Sequence, residues 1–299
     1  MRRALGSPAP ALLGLSLLVA ACGGGPHPSG NGIVHPAGDQ VVFRIEHSGG
    51  LLPADAVFTS VPAFSLHGDG RVIVPGAQVE LFPGPALPAV NVMQLSESGI
   101  QAVLAAVAAS GQFSASAEWR AAQNFVADGA DTIFTMHADG REITVTVHGL
   151  GSFMFGEPPP DVPAAEVAAH MALSRLLERL TTLEAWLPAG GWAEASPAPY
   201  RPDAMLLLVR NADADPPDDS GIPPAEMPWP VDGDPADFGA PTVLAGHACG
   251  PVTGDEAAAW YQALSGANQL TRWTGSGHRY QVLARLLAPD EAAACPEGF

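Results

Sequence analysis

The sequence predicts an α+β fold: an antiparallel sheet of β-hairpins with two or three helices packed on it. Three observations predict it. Short runs alternate apolar and polar residues; Asp-Gly or Gly-rich pairs separate such runs; longer stretches carry apolar residues at helical spacing. Hydrophobic residues make up 47% of the 299, which is enough for a sizeable core and argues against a disordered chain.

Residues 41–46, Val-Val-Phe-Arg-Ile-Glu, alternate and are β-rich, so they read as the first strand. A second strand is expected over 58–67, turned by Asp69-Gly70 into a third over 71–74. Asp-Gly suits a hairpin turn in which both central residues take positive φ. Pro83-Gly84-Pro85 and Pro88 punctuate the next segment. Ser96-Glu97-Ser98-Gly99 opens a helix with an apolar stripe of Ile100, Val103, Leu104 and Val107, ending at Gly111.

Residues 132–147 form the clearest hairpin, around Asp139-Gly140. A two-residue turn there sets Met136 opposite Ile143 and Phe134 opposite Val145, all on one apolar face. The other face carries His137 opposite Glu142, with Thr135, Thr144 and Thr146, and is expected to meet water or a partner. The longest helix is expected over 163–187, with Val167, Leu173, Leu176, Leu177, Leu180, Leu183 and Leu187 as its stripe.

Residues 188–202 are small, Gly- and Pro-rich and weakly patterned, and read as a boundary between an α+β domain over 41–187 and a smaller α+β subdomain over 200–299. Residues 205–209 are a continuous apolar run suited to a buried strand. An acidic, Pro-rich loop extends from there to Gly239. Thr253-Gly254-Asp255-Glu256 has the form of a capping box for a helix through Trp260 and Leu264 to Gly266. Residues 270–274 and 280–287 form a last hairpin across Gly275-Ser276-Gly277. One echo runs through the chain: Phe64-Ser65-Leu66-His67-Gly68-Asp69-Gly70-Arg71 against Phe134-Thr135-Met136-His137-Ala138-Asp139-Gly140-Arg141. It reads as a duplicated hairpin or as two turns whose chemistry restricts their flanks alike.

The N-terminus carries an address. Arg2 and Arg3 precede an apolar run over 9–21, then Val19-Ala20-Ala21-Cys22. A basic end, an apolar middle and small residues before a cut are the layout of an export signal. The run is too short to cross about 30 Å of hydrocarbon, which needs about 20 residues. With Cys at the position after the small residues, the stretch looks like the lipobox of bacterial lipoproteins. That likeness implies a signal peptide over 1–21, diacylglycerol and palmitate-type acylation at Cys22, and attachment on the extracytoplasmic face of the cell membrane. Two or more acyl chains give stable anchoring. Residues 22–40, rich in Gly, Pro, Ser and His, read as a flexible tether.

The whole chain carries a net charge of −18, and the excised segment would remove two of its 13 basic residues and none of its 31 acids. Every basic residue is an arginine. Nucleic acid, which needs cationic contacts to phosphate, is excluded as a partner class, and anionic headgroups would repel the body of the protein. With Cys22 lipidated, Cys249 and Cys295 remain, an even count that favours a disulfide outside the cytoplasm. Closing a loop of roughly 45 residues would remove about 4 kcal/mol of unfolded-state entropy. A metal site is the competing reading, although neither Cys lies in a CxxC pair.

The chain has no HExxH, Walker A, strand-linked GxGxxG or nucleophile-elbow pattern. Ser276 beside His278 lies in a turn. His67, His137 and His148 could share one sheet face, and with Glu142 opposite His137 a metal site or a non-standard hydrolase site is conceivable. Asn211, Asp213, Asp215, Asp218 and Asp219 space carboxylates as a Ca²⁺ loop does. Yet Pro216 replaces the Gly such a loop needs, and Ile222 its closing Glu; a solvated acidic loop is the alternative. Trp229, Phe238, Trp260, Tyr261, Trp273 and Tyr280 are expected chiefly as core of the C-terminal part.

The C-terminal third resembles a group of uncharacterised lipoproteins from high-GC bacteria. The likeness runs through Trp229-Pro230, Phe238-Gly239, Cys249-Gly250, Gly254, Ala267-Asn268, Thr271, Trp273, Tyr280, Arg285 and Pro289-Asp290-Glu291 to Cys295. Asp69-Gly70-Arg71 and residues 83–88 are similar to the same group's N-terminal part, and Leu286-Leu287-Ala288 departs from it. The resemblance implies the anchor and the disulfide and carries no activity. The expectation is thus an anchored extracytoplasmic protein that binds an envelope protein or ligand and needs no cofactor unless calcium. An envelope hydrolase or metal-dependent enzyme is the alternative.

Overall fold

Two sheets and four helices make up the described part of the protein, which in this computed structural model is residues 32–154, 158–216 and 219–296. The lipobox with Cys22, and Asp218 of the acidic loop, lie outside the described residues. The first sheet takes β1 (Val41–Gly49), β2 (Phe64–His67), β3 (Arg71–Pro75), β4 (Val90–Leu95), β5 (Ala117–Trp119), β6 (Ala130–Ala138), β7 (Arg141–His148) and β8 (Trp192–Pro199), in the order β5-β7-β6-β1-β2-β3-β4-β8. Only its β5–β7 pair is parallel. The second takes β9 (Ala204–Asn211), β10 (Glu226–Pro228), β11 (Ala240–Pro241), β12 (His247–Thr253), β13 (Arg272–Gly275) and β14 (His278–Leu286), in the order β10-β13-β14-β9-β12-β11. The helices are α1 (Ala54–Thr59), α2 (Glu97–Ala109), α3 (Ala164–Thr181) and α4 (Gly254–Ser265). This is the α+β hairpin architecture that the sequence predicts.

Period-2 alternation decides which side of the first sheet is covered. Phe43 and Ile45 of β1 stand with Phe64, Leu66, Phe134, Met136, Ile143 and Val145 on one face. The α2 stripe (Ile100, Val103, Leu104, Val107) and Leu173, Leu176 and Leu180 of α3 pack onto it. The Phe43 ring meets Phe113 edge-on at 5.4 Å. Ser96 caps α2, its side chain accepting from the Gly99 N–H. Around Asp139 (φ 51°) and Gly140 (φ 69°) the β6–β7 hairpin has the expected register, Met136 opposite Ile143 and Phe134 opposite Val145.

In the second sheet, β9 is buried on both faces. Met205, Leu207 and Val209 meet Trp260 and Leu264 of α4, while Leu206 and Leu208 meet Phe58 of α1, Leu287 and Cys249. Ile73 and Val90 of the first sheet belong to the same cluster as Trp260, so the two sheets share apolar contacts. Cys249 and Cys295 form a disulfide with Cα atoms 6.1 Å apart, which holds the C-terminal tail against β12. Of the late aromatics, Trp260, Trp273 and Tyr280 are buried in the core, while Trp229, Phe238 and Tyr261 are half-buried and pack against it.

Several elements differ from the sequence reading. Residues 54–59 are helical, not the start of a strand, because α1 places Phe58 against the second sheet. The β2–β3 connection has three residues, Gly68 to Gly70, with the Gly70 N–H donating to the His67 carbonyl (2.9 Å) and only Gly70 at clearly positive φ (89°). The two hairpins of the sequence echo therefore turn differently. The helix α3 stops at Thr181, and Leu183 and Leu187 stay buried beyond it. Thr253 starts α4 without a side-chain cap; Gly254, at φ 55°, turns the strand into the helix. Residues 192–199, inside the expected boundary, form an edge strand where Pro197 and Pro199 remove donors.

The stretch read as tether is fixed from Ile33 onward. The Ile33 N–H donates to Gln101 Oε1 and its carbonyl accepts from Gln101 Nε2, both at 2.9 Å. Val34 exchanges two bonds with Asp139, and the Asp69 and Gly68 N–H groups donate to the Gly38 and Gln40 carbonyls. Both Asp-Gly turns thus grip one strap of chain before β1.

Candidate functional site

On the first sheet's other face, the polar positions of β1, β2 and β6 come together. Arg44 sits opposite Ser65 on one side and Thr135 on the other. Its Nε and Nη2 donate to Ser65 Oγ (3.3 Å each), and Nη2 reaches Asp290 Oδ1 at 2.5 Å. Asp290 comes from the tail that the disulfide holds. Ser65 Oγ lies 3.0 Å from His67 Nε2, and His67 Nδ1 lies 2.8 Å from the Asp39 carbonyl. Since a carbonyl only accepts, Nδ1 carries the proton and Nε2 accepts from the Ser65 hydroxyl. Burial lowers the His67 pKa and keeps the ring neutral.

A Ser–His hydrogen bond of this length has the form of an activated nucleophile. Here it cannot act as one. Ser65 and His67 are both 0% exposed, and the Ser65 oxygen is covered by the Arg44 guanidinium. No carbonyl substrate reaches Oγ. The pair serves instead as a buried post that orients Arg44.

Above Arg44 runs an open groove of about 420 Å³, lined by Arg44, Glu46, Thr135, His137 and Asp290 and walled by Pro36 and Gln40 of the strap and by Val41 of β1. The Glu46 pKa is raised: desolvation is the main cause, Arg44 opposes it, and Glu291 adds to it. His137 Nε2 lies 3.1 Å from Glu142 Oε2. The strands therefore bring His137 and Glu142 together as expected, while His67 is buried apart from them with its own partners. His148 is held between Asp131 Oδ1 and the Val126 carbonyl, 2.8 Å each. Among the described residues no three His, Cys, Asp or Glu side chains gather as metal ligands. Matches are absent too. No family model, curated protein or solved structure matches the chain.

Two carboxylates of the acidic loop, Asp213 and Asp215, are engaged by basic groups of this chain. Arg210 grips Asp215 with both Nη atoms (2.6 and 2.8 Å), and Arg272 adds a third contact at 3.2 Å. Asp213 accepts from the Arg279 N–H (2.8 Å) and lies 2.6 Å from His278 Nδ1. The Asp213 pKa is lowered to about 2, chiefly by His278, and that of Asp215 is lowered chiefly by Arg210. Arginines in these places occupy the oxygens a Ca²⁺ ion would need and repel the ion itself. Asp219 has no part in these pairs, and Asp218 lies outside the described residues. His278 is bound to Asp213, not to Ser276, which occupies the turn at φ 51°.

Sequence reasoning missed Arg44, Glu46, Ser65 and Asp290. The signal for three of them was present: they are the polar positions of alternating strands, which period 2 places on the face that carries His137. Asp290 is 246 residues from Arg44, and no local pattern links them.

Proposed function

We propose that the protein is a binding protein of the cell envelope, attached to the extracytoplasmic face of the membrane through lipid on Cys22, with no chemistry of its own. The observation that carries this reading is the groove. It is concave, it is lined by polar side chains from three separate parts of the chain, and the Ser–His pair near it is sealed. The Cys249–Cys295 disulfide suits an oxidising compartment. The lipobox and the likeness to lipoproteins of high-GC bacteria support the anchor.

Two measurements test it. Labelled palmitate is expected to enter the protein in cells and to be lost in Cys22→Ala. A photo-crosslinking benzophenone residue at Thr135 is expected to give a discrete adduct in intact cells that the same residue at exposed Val243 does not give. Failure of the first sinks the anchor, and equal capture at both positions sinks the groove as the binding site.

A further inference from the structure

We propose that the groove holds its ligand through a cationic group, an ammonium or guanidinium, set against Glu46. The inference rests on the binding reading above and adds the ligand's chemistry to it.

Charges on this sheet face and the tail beside it fall into pairs. Arg44 is matched by Asp290 at 2.5 Å, Arg285 by Glu291 at 2.5 Å, and His137 by Glu142 at 3.1 Å. Every basic group around the groove thus has its own acid. Glu46 is left over. Its carboxylate makes no hydrogen bond or ion pair among the described residues, although it lines the groove and is half-buried. A carboxylate withdrawn from water without a hydrogen-bonding partner is destabilised, and its raised pKa records that the more distant charges of Arg44 and Arg285 do not offset the burial. An incoming cation would supply the direct partner that Glu46 lacks, whereas an incoming anion would find Arg44 already engaged by Asp290 and would face the unmatched Glu46.

One further group, the Thr135 hydroxyl, suits an N–H donor on such a ligand. His137 Nε2 is engaged by Glu142, and the His137 ring lines the groove beside Thr135. Thr135 adds a hydroxyl beside Arg44. A volume of about 420 Å³ accommodates a small amine or a single basic side chain of a peptide.

Four probes on one carbon skeleton separate charge from shape: n-butylammonium, n-butylguanidinium, butyramide and butyrate. Saturation-transfer NMR on the full-length protein in non-ionic detergent is expected to show binding of the two cations and at least tenfold weaker binding of the other two. Glu46→Gln, nearly isosteric, is expected to weaken the cations at least tenfold with a melting temperature no lower than that of the wild type, while Glu80→Gln on an exposed loop changes nothing. Butyramide or butyrate binding as well as the cations would overturn the inference, and so would a folded Glu46→Gln protein that binds them normally. A groove that crosslinks at Thr135 in cells yet ignores both cations would sink this inference and leave the binding reading standing; equal crosslinking at Val243 would sink the reading itself.

Discussion

Arg44 of β1 donates to Asp290 of the C-terminal tail at 2.5 Å, across 246 residues of chain, and so ties the first sheet to the segment that Cys295 holds on the second. The pair is mostly withdrawn from solvent, with side-chain exposures of 12% and 21%. Arg44→Ala also strips the cover from Ser65 and His67. Each of Arg44→Ala and Asp290→Ala is expected to cost about 2 kcal/mol in urea unfolding, between an exposed and a fully buried pair. The double variant is expected to cost clearly less than the sum, because the two share one contact. Strict additivity would show that the contact contributes nothing.

The disulfide acts on the same tail. Loss of Cys249–Cys295 is expected to remove about 4 kcal/mol on the chain-entropy account. Cys249→Ser with Cys295→Ser should lower the urea midpoint accordingly, and alkylation of the unreduced wild-type protein should label neither position. A modified Cys249 in that experiment would refute the pairing.

The strap depends on a missing side chain. A Cβ at Gly68 would overlap the Pro36 carbonyl oxygen and the Ala37 backbone. Neither can yield as a flexible side chain would. Gly68→Ala is expected to lift residues 33–40 from the β2–β3 turn, at about 1–3 kcal/mol. Hydrogen exchange reads this directly: the Asp69 and Asp139 amides, which donate to the Gly38 and Val34 carbonyls, should lose protection together. Protection retained at Asp139 would mean that the two turns grip the strap independently.

Local pattern made much of this legible and distance hid the rest. Phe134 opposite Val145 could be read off because an Asp-Gly turn and a period of two agree on one register. The alternation of β1 likewise assigns Arg44 and Glu46 to the non-core face, but alternation cannot say what covers that face. The cover is the strap at one side and Asp290 at the other, both placed by tertiary contact. Phe58 shows the same limit from the other direction. Its flanks, Val57 and Thr59, favour strand by propensity, yet packing against Leu206 and Leu208 favours a helical turn. The strand β8 was obscured because its prolines and small residues carry no apolar period, and it is an edge that needs none.

His170 carries the largest histidine share of the fold's acid response. It is 1% exposed on α3, its ring 4.5 Å from Phe153, and neither ring nitrogen has a hydrogen-bond partner among the described residues. The charged and titratable groups facing it are Glu166 on its own helix, 3.9 Å away and engaged with the Ala121 N–H, and His148 on β7. Burial first, and His148 second, push its pKa down from 6.5 to about 4. Between these values the unfolded chain binds a proton that the folded chain refuses, so stability falls as pH drops through that window and levels off below it. The full contribution is about 3 kcal/mol. The carboxylates Asp213 and Asp215, whose pKa values lie below 3.8, give up their own contribution only in more acidic solution. Urea unfolding at pH 7, 5.5 and 4.5 should therefore show a progressive loss that His170→Phe reduces, the remainder coming from His47 and His67, whose pKa values burial also lowers. A variant with the wild-type pH slope would place the acid sensitivity elsewhere.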